Sequence, residues 1–277
     1  MRWIQNGSLH HFGHLPMKHK KGSSMLNKKL KYFFHENGFV HLKKFLNQHL
    51  LVELRNEVER YINDKVPFLD PGDVFFDNPE KPETLKQLHR MEQDPFFNEY
   101  RNHPLWIETS EFLLNEPVEP AMGVELFNKP PNTNHETPPH QDNYYFCLEP
   151  PKVLTIWVAL DLADQTNGCM KYVAGSHLNG IRNHDTSRTL GFSQSITDFC
   201  HEDAKNEKSI TAKPGDALIH HGNTIHSAGF NQTQNRHRRG FAMVFKAVSA
   251  KRNEKKFKIY DKQSKIQQNT FGIQING

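Results

Sequence analysis

From Val124 onward the chain is a succession of short β-type runs cut apart by glycines, and this texture restricts its folds more than any other feature. After 124–127 the runs cover 144–148, 153–162, 169–173, 217–220, 224–227 and 240–248, punctuated by Gly168, Gly175, Gly215, Gly222 and Gly229. Short runs bounded by turn residues read as the strands of a sandwich or barrel. In 153–162, Leu154, Ile156, Val158, Leu160 and Leu162 face one way, while Val153, Thr155, Trp157, Ala159 and Asp161 face the other. That is the period of two of a strand. The expected fold is mainly β with flanking α: a double-sheet jelly roll, or cupin-like barrel, whose interior can hold a ligand. N-terminal helices would pack on one of its sheets.

Those helices are legible upstream. Residues 26–35 are basic and aromatic and end at Asn37-Gly38, a helix C-cap signal. A strand is expected over 39–42. Asn47 then caps a long helix with Leu50, Leu51, Leu54, Val58, Tyr61 and Ile62 at helical spacing. Residues 63–82 are rich in Pro, Asp and Gly and read as a loop, whereas Asp94-Pro95 and His103-Pro104 each start a short helix. The polar insert 178–209 reads as a lid or a surface excursion. The domain expectation is a flexible leader over 1–24, one domain over 25–250 (helical to 118, β core from 119), and a basic, loosely docked tail over 251–277. Four histidines of the leader, His10, His11, His14 and His19, could bind a metal adventitiously.

Composition narrows the function classes. Of 277 residues, 36% are hydrophobic and 24% charged, as in a globular body rather than a disordered one. The net charge of +4 is carried mostly near the ends, which argues against a nucleic-acid groove. No run of about 18 apolar residues points to a membrane span. Cys147, Cys169 and Cys200 form neither a disulfide framework nor a metal knuckle, so a reducing compartment, the cytoplasm, is expected. The expected partner is a small-molecule substrate, and oligomeric state has no signature in the sequence.

Chemistry gathers around the stretch 138–145, PPHQDNYY. His140 and Asp142 are two apart, so an extended segment directs both side chains to one face. A third metal ligand is needed, and His226, on a later β-type run, suits it better than His220 or His221. Two imidazoles and a carboxylate on one face of an ion, with the other face open, mark non-haem iron(II) oxygenases. A downstream arginine then suggests an oxo-acid co-substrate. Phe241, Met243 and Phe245 are in phase with Arg239, and Gly240 and Ala242 with Arg238. A small dicarboxylate needs space beside its guanidinium, so Arg238 is expected inside and Arg239 outside, although a one-residue bulge would exchange them.

Taken together these motifs resemble the phytanoyl-CoA dioxygenase family. The matching stretches occur in the family's order: FxxNGFV from Phe34, FNKPP from Phe127, PHQDNYY, Trp157, NGCMKYVAGSH from Asn167, PGDALIHHGNTIHSAGFN from Pro214, and RRGFA from Arg238. The resemblance covers roughly residues 28 to 250. It implies a double-stranded β-helix holding iron(II) through His140, Asp142 and His226, with 2-oxoglutarate on Arg238. It further implies a lysine that pairs with a co-substrate carboxylate, at Lys86 or else Lys81. Ser227 replaces a serine contact one position later in the family, and Trp157, Gln141 and Asn231 match positions that line the pocket. The implied reaction uses O2 and 2-oxoglutarate to hydroxylate a C–H bond of a small molecule, releasing succinate and CO2. Because Asp142 is retained, hydroxylation is favoured over halogenation. The rival readings are a non-catalytic cupin-like binding protein, an iron oxygenase that does not use 2-oxoglutarate, and a zinc hydrolase.

Overall fold

The computed structural model describes residues 25–189 and 192–270; the leader 1–24, with its four histidines, lies outside them. The first helix, α1 (Lys28–Asn37), is capped by the Asn27 side chain, which accepts from the Leu30 N–H, and ends at Gly38, whose φ of 80° is a left-handed cap. β1 (Phe39–Leu42) leads to α2 (Gln48–Asp64), capped by Asn47. The 63–82 stretch contains a short strand, β2 (Val74–Phe76), which pairs with β3 (Leu85–Leu88). α3 (Pro95–Tyr100) and α4 (Pro104–Leu114) begin at the prolines that signal them, with Asp94 and His103 as side-chain caps.

After β4 (Val118–Lys129) and β5 (Thr137–His140) comes a departure from the expected strand over 144–148. The chain forms one helical turn, α5 (Asp142–Phe146), closed by Cys147 at positive φ, and only then β6 (Leu148–Glu149). β7 (Val153–Ala159) and β8 (Met170–Val173) follow. The polar insert holds β9 (His184–Thr189), β10 (Phe192–Ile196) and α6 (His201–Asn206). The remaining elements are β11 (Glu207–Ile210), β12 (Ala217–His221), β13 (His226–Ala228), β14 (Arg238–Ala247), β15 (Lys251–Arg252) and α7 (Glu254–Thr270). Within the tail expected over 251–277, residues 254–270 form α7.

The strands form separate antiparallel sheets. A seven-stranded sheet runs β1-β12-β7-β14-β4-β3-β2 and a four-stranded sheet runs β11-β8-β13-β5, with two-stranded pairs β9/β10 and β6/β15 beside them. No sheet among the described residues closes into a barrel, so the expected jelly-roll (double-stranded β-helix) core is corrected to a mixed α/β fold of antiparallel sheets with N-terminal helices. The reason is physical: alternation specifies that strands exist and which face is apolar, but closure depends on whether edge strands find one another, and here β1 and β2 remain edges.

One face of the large sheet presents Leu126, Ile156, Val158, Ile219, Phe241 and Phe245 to the helical layer, where Leu54 and Val58 of α2, Phe97 of α3 and Leu113 of α4 complete the main core. Burying such side chains stabilises the fold by about 1.5–3 kcal/mol each. The opposite face meets the small sheet through Trp157, Leu218 and Ala242 against Met170, Tyr172 and Ala228. Phe39 stacks on Tyr172 at 4.6 Å between ring centres. Among the described residues no helix is long and apolar enough to cross a membrane.

Candidate active site

β5 and β13 lie side by side in a register that sets His140 opposite His226. Asp142 arrives from a different element. The chain leaves β5 through an extended Gln141 and turns into α5 at Asp142, so the carboxylate reaches the imidazoles from a helical turn rather than from a shared strand face. Asp142 Oδ1 lies 3.6 Å from His140 Nε2 and 3.5 Å from His226 Nε2. One ligand atom from each residue falls within 4.8 Å of the other two.

The surroundings fix which ring nitrogen faces the other ligands. His140 Nδ1 is 2.8 Å from the Pro138 carbonyl oxygen and His226 Nδ1 is 3.0 Å from that of Thr224. A carbonyl only accepts, so both Nδ1 atoms carry hydrogen, and Nε2 is the nitrogen that each neutral ring would offer a metal. Thr155 Oγ1 donates to Asp142 Oδ2 at 2.6 Å, and His220 Nε2 stands 3.0 Å from the same oxygen. His220 Nδ1 then accepts from the Tyr172 hydroxyl at 3.3 Å. Burial alone would push the Asp142 carboxyl upward, but His226, His140 and His220 outweigh it and hold the group well below the usual carboxylate range. Burial, with His140 and His220 close by, drives the His226 imidazole well below its ordinary value. Two neutral imidazole nitrogens and an ionised carboxylate, already oriented by their outer partners, fit a divalent iron.

A cavity of about 350 Å³ opens on these three residues. Its wall is mostly apolar, with Met122, Phe127, Phe146 and Val244 among the lining side chains, as in small-molecule sites generally. Phe257 and Tyr260 of α7 also line it. Tyr260 packs against Tyr145 of α5 with 5.6 Å between ring centres, so the C-terminal helix belongs to the cavity wall.

Arg238 sits where this cavity meets a smaller one lined by Lys86, Lys129 and Thr137. Only 2% exposed, its guanidinium lies 5.7 Å from the ring centre of Trp157, and no carboxylate of the described residues pairs with it. Its Nε has no hydrogen-bond partner, and burial lowers its pKa to about 10. Lys129 is its direct cross-strand neighbour on β4; burial first, then Arg238 and Lys86, push the lysine well below its ordinary value. Lys86 pairs with Asp77 at 3.3 Å. Like charges facing each other in a buried spot oppose folding, so this cluster is arranged for an anion. Arg239 takes the other face, bonded to Asp161 at 2.8 and 3.0 Å and to Glu59.

Other sequence candidates lie off the cavity. Gln141 is wholly buried and its amide donates to the carbonyls of Gly180 and Asn223 and accepts from the Arg182 N–H, which ties down the start of the polar insert. Asn231 donates to the carbonyls of Lys129 and Arg236 and accepts from Thr233. Ser227 donates to Glu207, and Lys81 is exposed. His221 Nδ1 accepts from the Asn223 N–H, and its ring packs near Phe34 and His177. The sequence reading assigned no role to Lys129, Thr155, His89, Glu125, Phe257 or Tyr260. For Lys129 there was a signal, a lone cation ending an apolar strand in FNKPP.

The fold and this ligand set define a class: enzymes with a two-histidine, one-carboxylate metal triad, of the kind that support iron(II)- and 2-oxoglutarate-dependent oxygenase activity. Residues 34–240 match the model of the phytanoyl-CoA dioxygenase (PhyH) family, and the chain belongs to that family. It is similar to the peroxisomal phytanoyl-CoA dioxygenases of Bos taurus, 26% identical over 242 residues (82% of this chain, 71% of the relative), and of Homo sapiens, 27% identical over 216 residues (73% and 63%). Among solved structures, it shares its fold with the epimerase SnoN in complex with Fe3+, alpha ketoglutarate and nogalamycin RO (TM-score 0.64, 22% identity, 80% of this chain and 84% of that one). The same holds for EctD from S. alaskensis with 2-oxoglutarate and 5-hydroxyectoine (TM-score 0.65, 19% identity, 83% and 80%). The mammalian relatives are named as peroxisomal proteins, which overturns the cytoplasmic expectation. Sparse cysteines argue against a disulfide-building compartment but do not separate the remaining compartments from one another.

Proposed function

We propose that the protein hydroxylates a C–H bond of a small molecule, consuming 2-oxoglutarate and O2 and releasing succinate and CO2. In this reading His140, Asp142 and His226 hold iron(II), and Arg238 clamps the far carboxylate of 2-oxoglutarate. The observation that carries it is the buried, carboxylate-free Arg238 within the same cavity as a triad whose ligand atoms lie within 4.8 Å of one another. Iron(II) with 2-oxoglutarate would supply the activation of dioxygen, coupled to decarboxylation of the keto acid.

The chain's own residues do the rest. The Pro138 and Thr224 carbonyls hold the two ring tautomers, and Thr155 and His220 hold the Asp142 carboxylate. Trp157 supports the Arg238 guanidinium, while the Asp77-paired Lys86 adds positive field and Lys129 an N–H donor beside it. The apolar wall excludes water from around the reacting carbon. A carboxylate at 142 fills the position a halide would need, which favours hydroxyl transfer over halogenation.

The test is succinate release across acyl-CoAs, amino acids, cyclic solutes and natural-product scaffolds, with 18O2 as oxidant. Label from 18O2 should enter the hydroxylated product. His140→Ala and Asp142→Ala should each abolish succinate formation, whereas His221→Ala should retain it. Full turnover by Asp142→Ala, or loss confined to His221→Ala, would sink the ligand assignment.

A further inference from the structure

The cavity-facing side chains of the large sheet form a row that leads away from the metal triad. β7 contributes Thr155 and Trp157, β14 contributes Ala242 and Val244, and β4 contributes Glu125 and Phe127; all of them line the cavity. Ala242 pairs with Trp157 on one side and with Glu125 on the other. On β3, Gln87 pairs with Phe127 and Leu88 with Leu126, so the following residue, His89, emerges opposite Glu125. Its Nδ1 lies 3.0 Å from Glu125 Oε1. Three strand spacings of about 4.8 Å separate β7 from β3, so His89 stands roughly 14 Å along the sheet from Trp157, with Thr155 and the carboxylate it holds two residues further along β7.

This pair has no part in the metal chemistry described above, yet His89 lines the same cavity. An ionised carboxylate accepts only, so His89 Nδ1 carries hydrogen toward Glu125. Its Nε2 is buried and has no hydrogen-bond partner. The imidazole is held from two sides by Phe75 and Phe127, with ring centres at 5.1 and 6.5 Å. Between the pair and Trp157 the floor is the small Ala242. A fixed polar atom without a partner, across an apolar floor from a metal site, is the arrangement that orients a ligand.

We propose that His89, held by Glu125, is the polar anchor of the substrate: its Nε2–H binds a carbonyl oxygen of an elongated, otherwise apolar molecule whose far end reaches the metal triad. Calling that molecule the substrate rests on the oxygenase reading; the binding itself does not. The Glu125 carboxylate 3.0 Å from Nδ1 stabilises the imidazolium, in which Nε2 also carries hydrogen; in keeping with this, burial would lower the His89 pKa, but Glu125 and Asp73 outweigh burial and raise it.

The test compares 2-decanone, which has the acceptor, with decane, which lacks it. Binding is followed by tryptophan fluorescence, since Trp157 lines the cavity, on the full chain loaded anaerobically with iron(II) and 2-oxoglutarate. His89→Leu should raise the Kd of 2-decanone about 10- to 100-fold, the loss of one hydrogen bond from a charged donor, and leave decane within about threefold. His89→Gln, which keeps an N–H donor, should recover part of the loss. If His89→Leu does not fold, Glu125→Gln should weaken the ketone several-fold and spare decane. Parallel loss of both probes, an unchanged ketone affinity, or a ketone that does not bind the unaltered protein would each overturn the anchor. A missing charge-transfer band with iron(II) and 2-oxoglutarate would instead refute the oxygenase reading and leave the probe comparison standing.

Discussion

Replacing Thr155 by valine removes one hydroxyl and almost no volume, and the geometry specifies what should follow. Thr155 Oγ1 donates to Asp142 Oδ2 at 2.6 Å inside the protein, leaving His220 Nε2 at 3.0 Å as the other partner of that oxygen. A hydrogen bond to a charged acceptor contributes about 1.5–3 kcal/mol, and a buried carboxylate deprived of one has no water to turn to. Thr155→Val should therefore lower the unfolding free energy of the metal-free protein by about 2 kcal/mol. Metal affinity should fall for a separate reason. The bond is present with and without metal, so its strength largely cancels, but it prevents the carboxylate from rotating Oδ1 away from the two Nε2 atoms. Loss of an outer partner of this kind typically weakens metal binding 10- to 100-fold, and with His220 still in place the lower figure, about tenfold, is expected. Urea unfolding of the metal-free chain and anaerobic titration with cobalt(II) as a spectroscopic substitute measure the two effects independently. A stability loss with unchanged metal affinity would refute the claim that Thr155 orients the ligand. No loss of either would refute the hydrogen bond itself.

Arg238→Met should raise the KM for 2-oxoglutarate by at least about 100-fold, as expected for a buried charge-assisted pair, whereas Arg239→Met should leave that KM unchanged and reduce stability through the bond to Asp161; steady-state succinate assays and thermal melts separate the two. Gly240→Ala would place a Cβ 2.0 Å from the Trp157 ring, so it should cost about 1–3 kcal/mol by overpacking and shift the tryptophan emission; an unaltered spectrum would show that the ring is not pinned there. Divalent metal should raise the melting temperature of the unaltered chain, by about 2.7 kcal/mol of added stability at a hundredfold excess over Kd, and this gain should vanish in His226→Ala. Tyr260→Ala should change KM for the organic substrate without changing KM for 2-oxoglutarate, because Tyr260 lines the large cavity and not the smaller one beside Lys86 and Lys129.

The parts of the site legible in the sequence are those set by local rules. Strand parity directs Phe241, Met243 and Phe245 to the main core and leaves Arg238 and Ala242 on the cavity side; the register shift along β14 falls between Met243 and Val244, beyond Arg238. Cap residues marked α1, α2, α3 and α4. The 138–145 stretch was readable for its residue types but not for its shape, because the turn at Asp142 is stabilised by partners remote in the chain, among them the Gly222 carbonyl accepting from the Asn143 N–H. Gln141 and Asn231 match positions that line the family's pocket, yet each amide is committed to backbone groups that only the folded chain brings near. The insert was similarly opaque: Tyr145 donates to the Gln194 carbonyl at 2.6 Å, which anchors β10 over α5.

By itself the sequence determined the short strands, their buried faces, the capped helices, the family and the residue types able to hold a metal. These follow from backbone periodicity and side-chain chemistry, both of which act over a few residues. The tertiary structure alone decided that the sheets stay open, that α7 walls the cavity, that Lys129 faces Arg238 and that His89 meets Glu125. Each depends on register between strands or packing between distant elements, and no local pattern encodes the place where two separated segments come to rest.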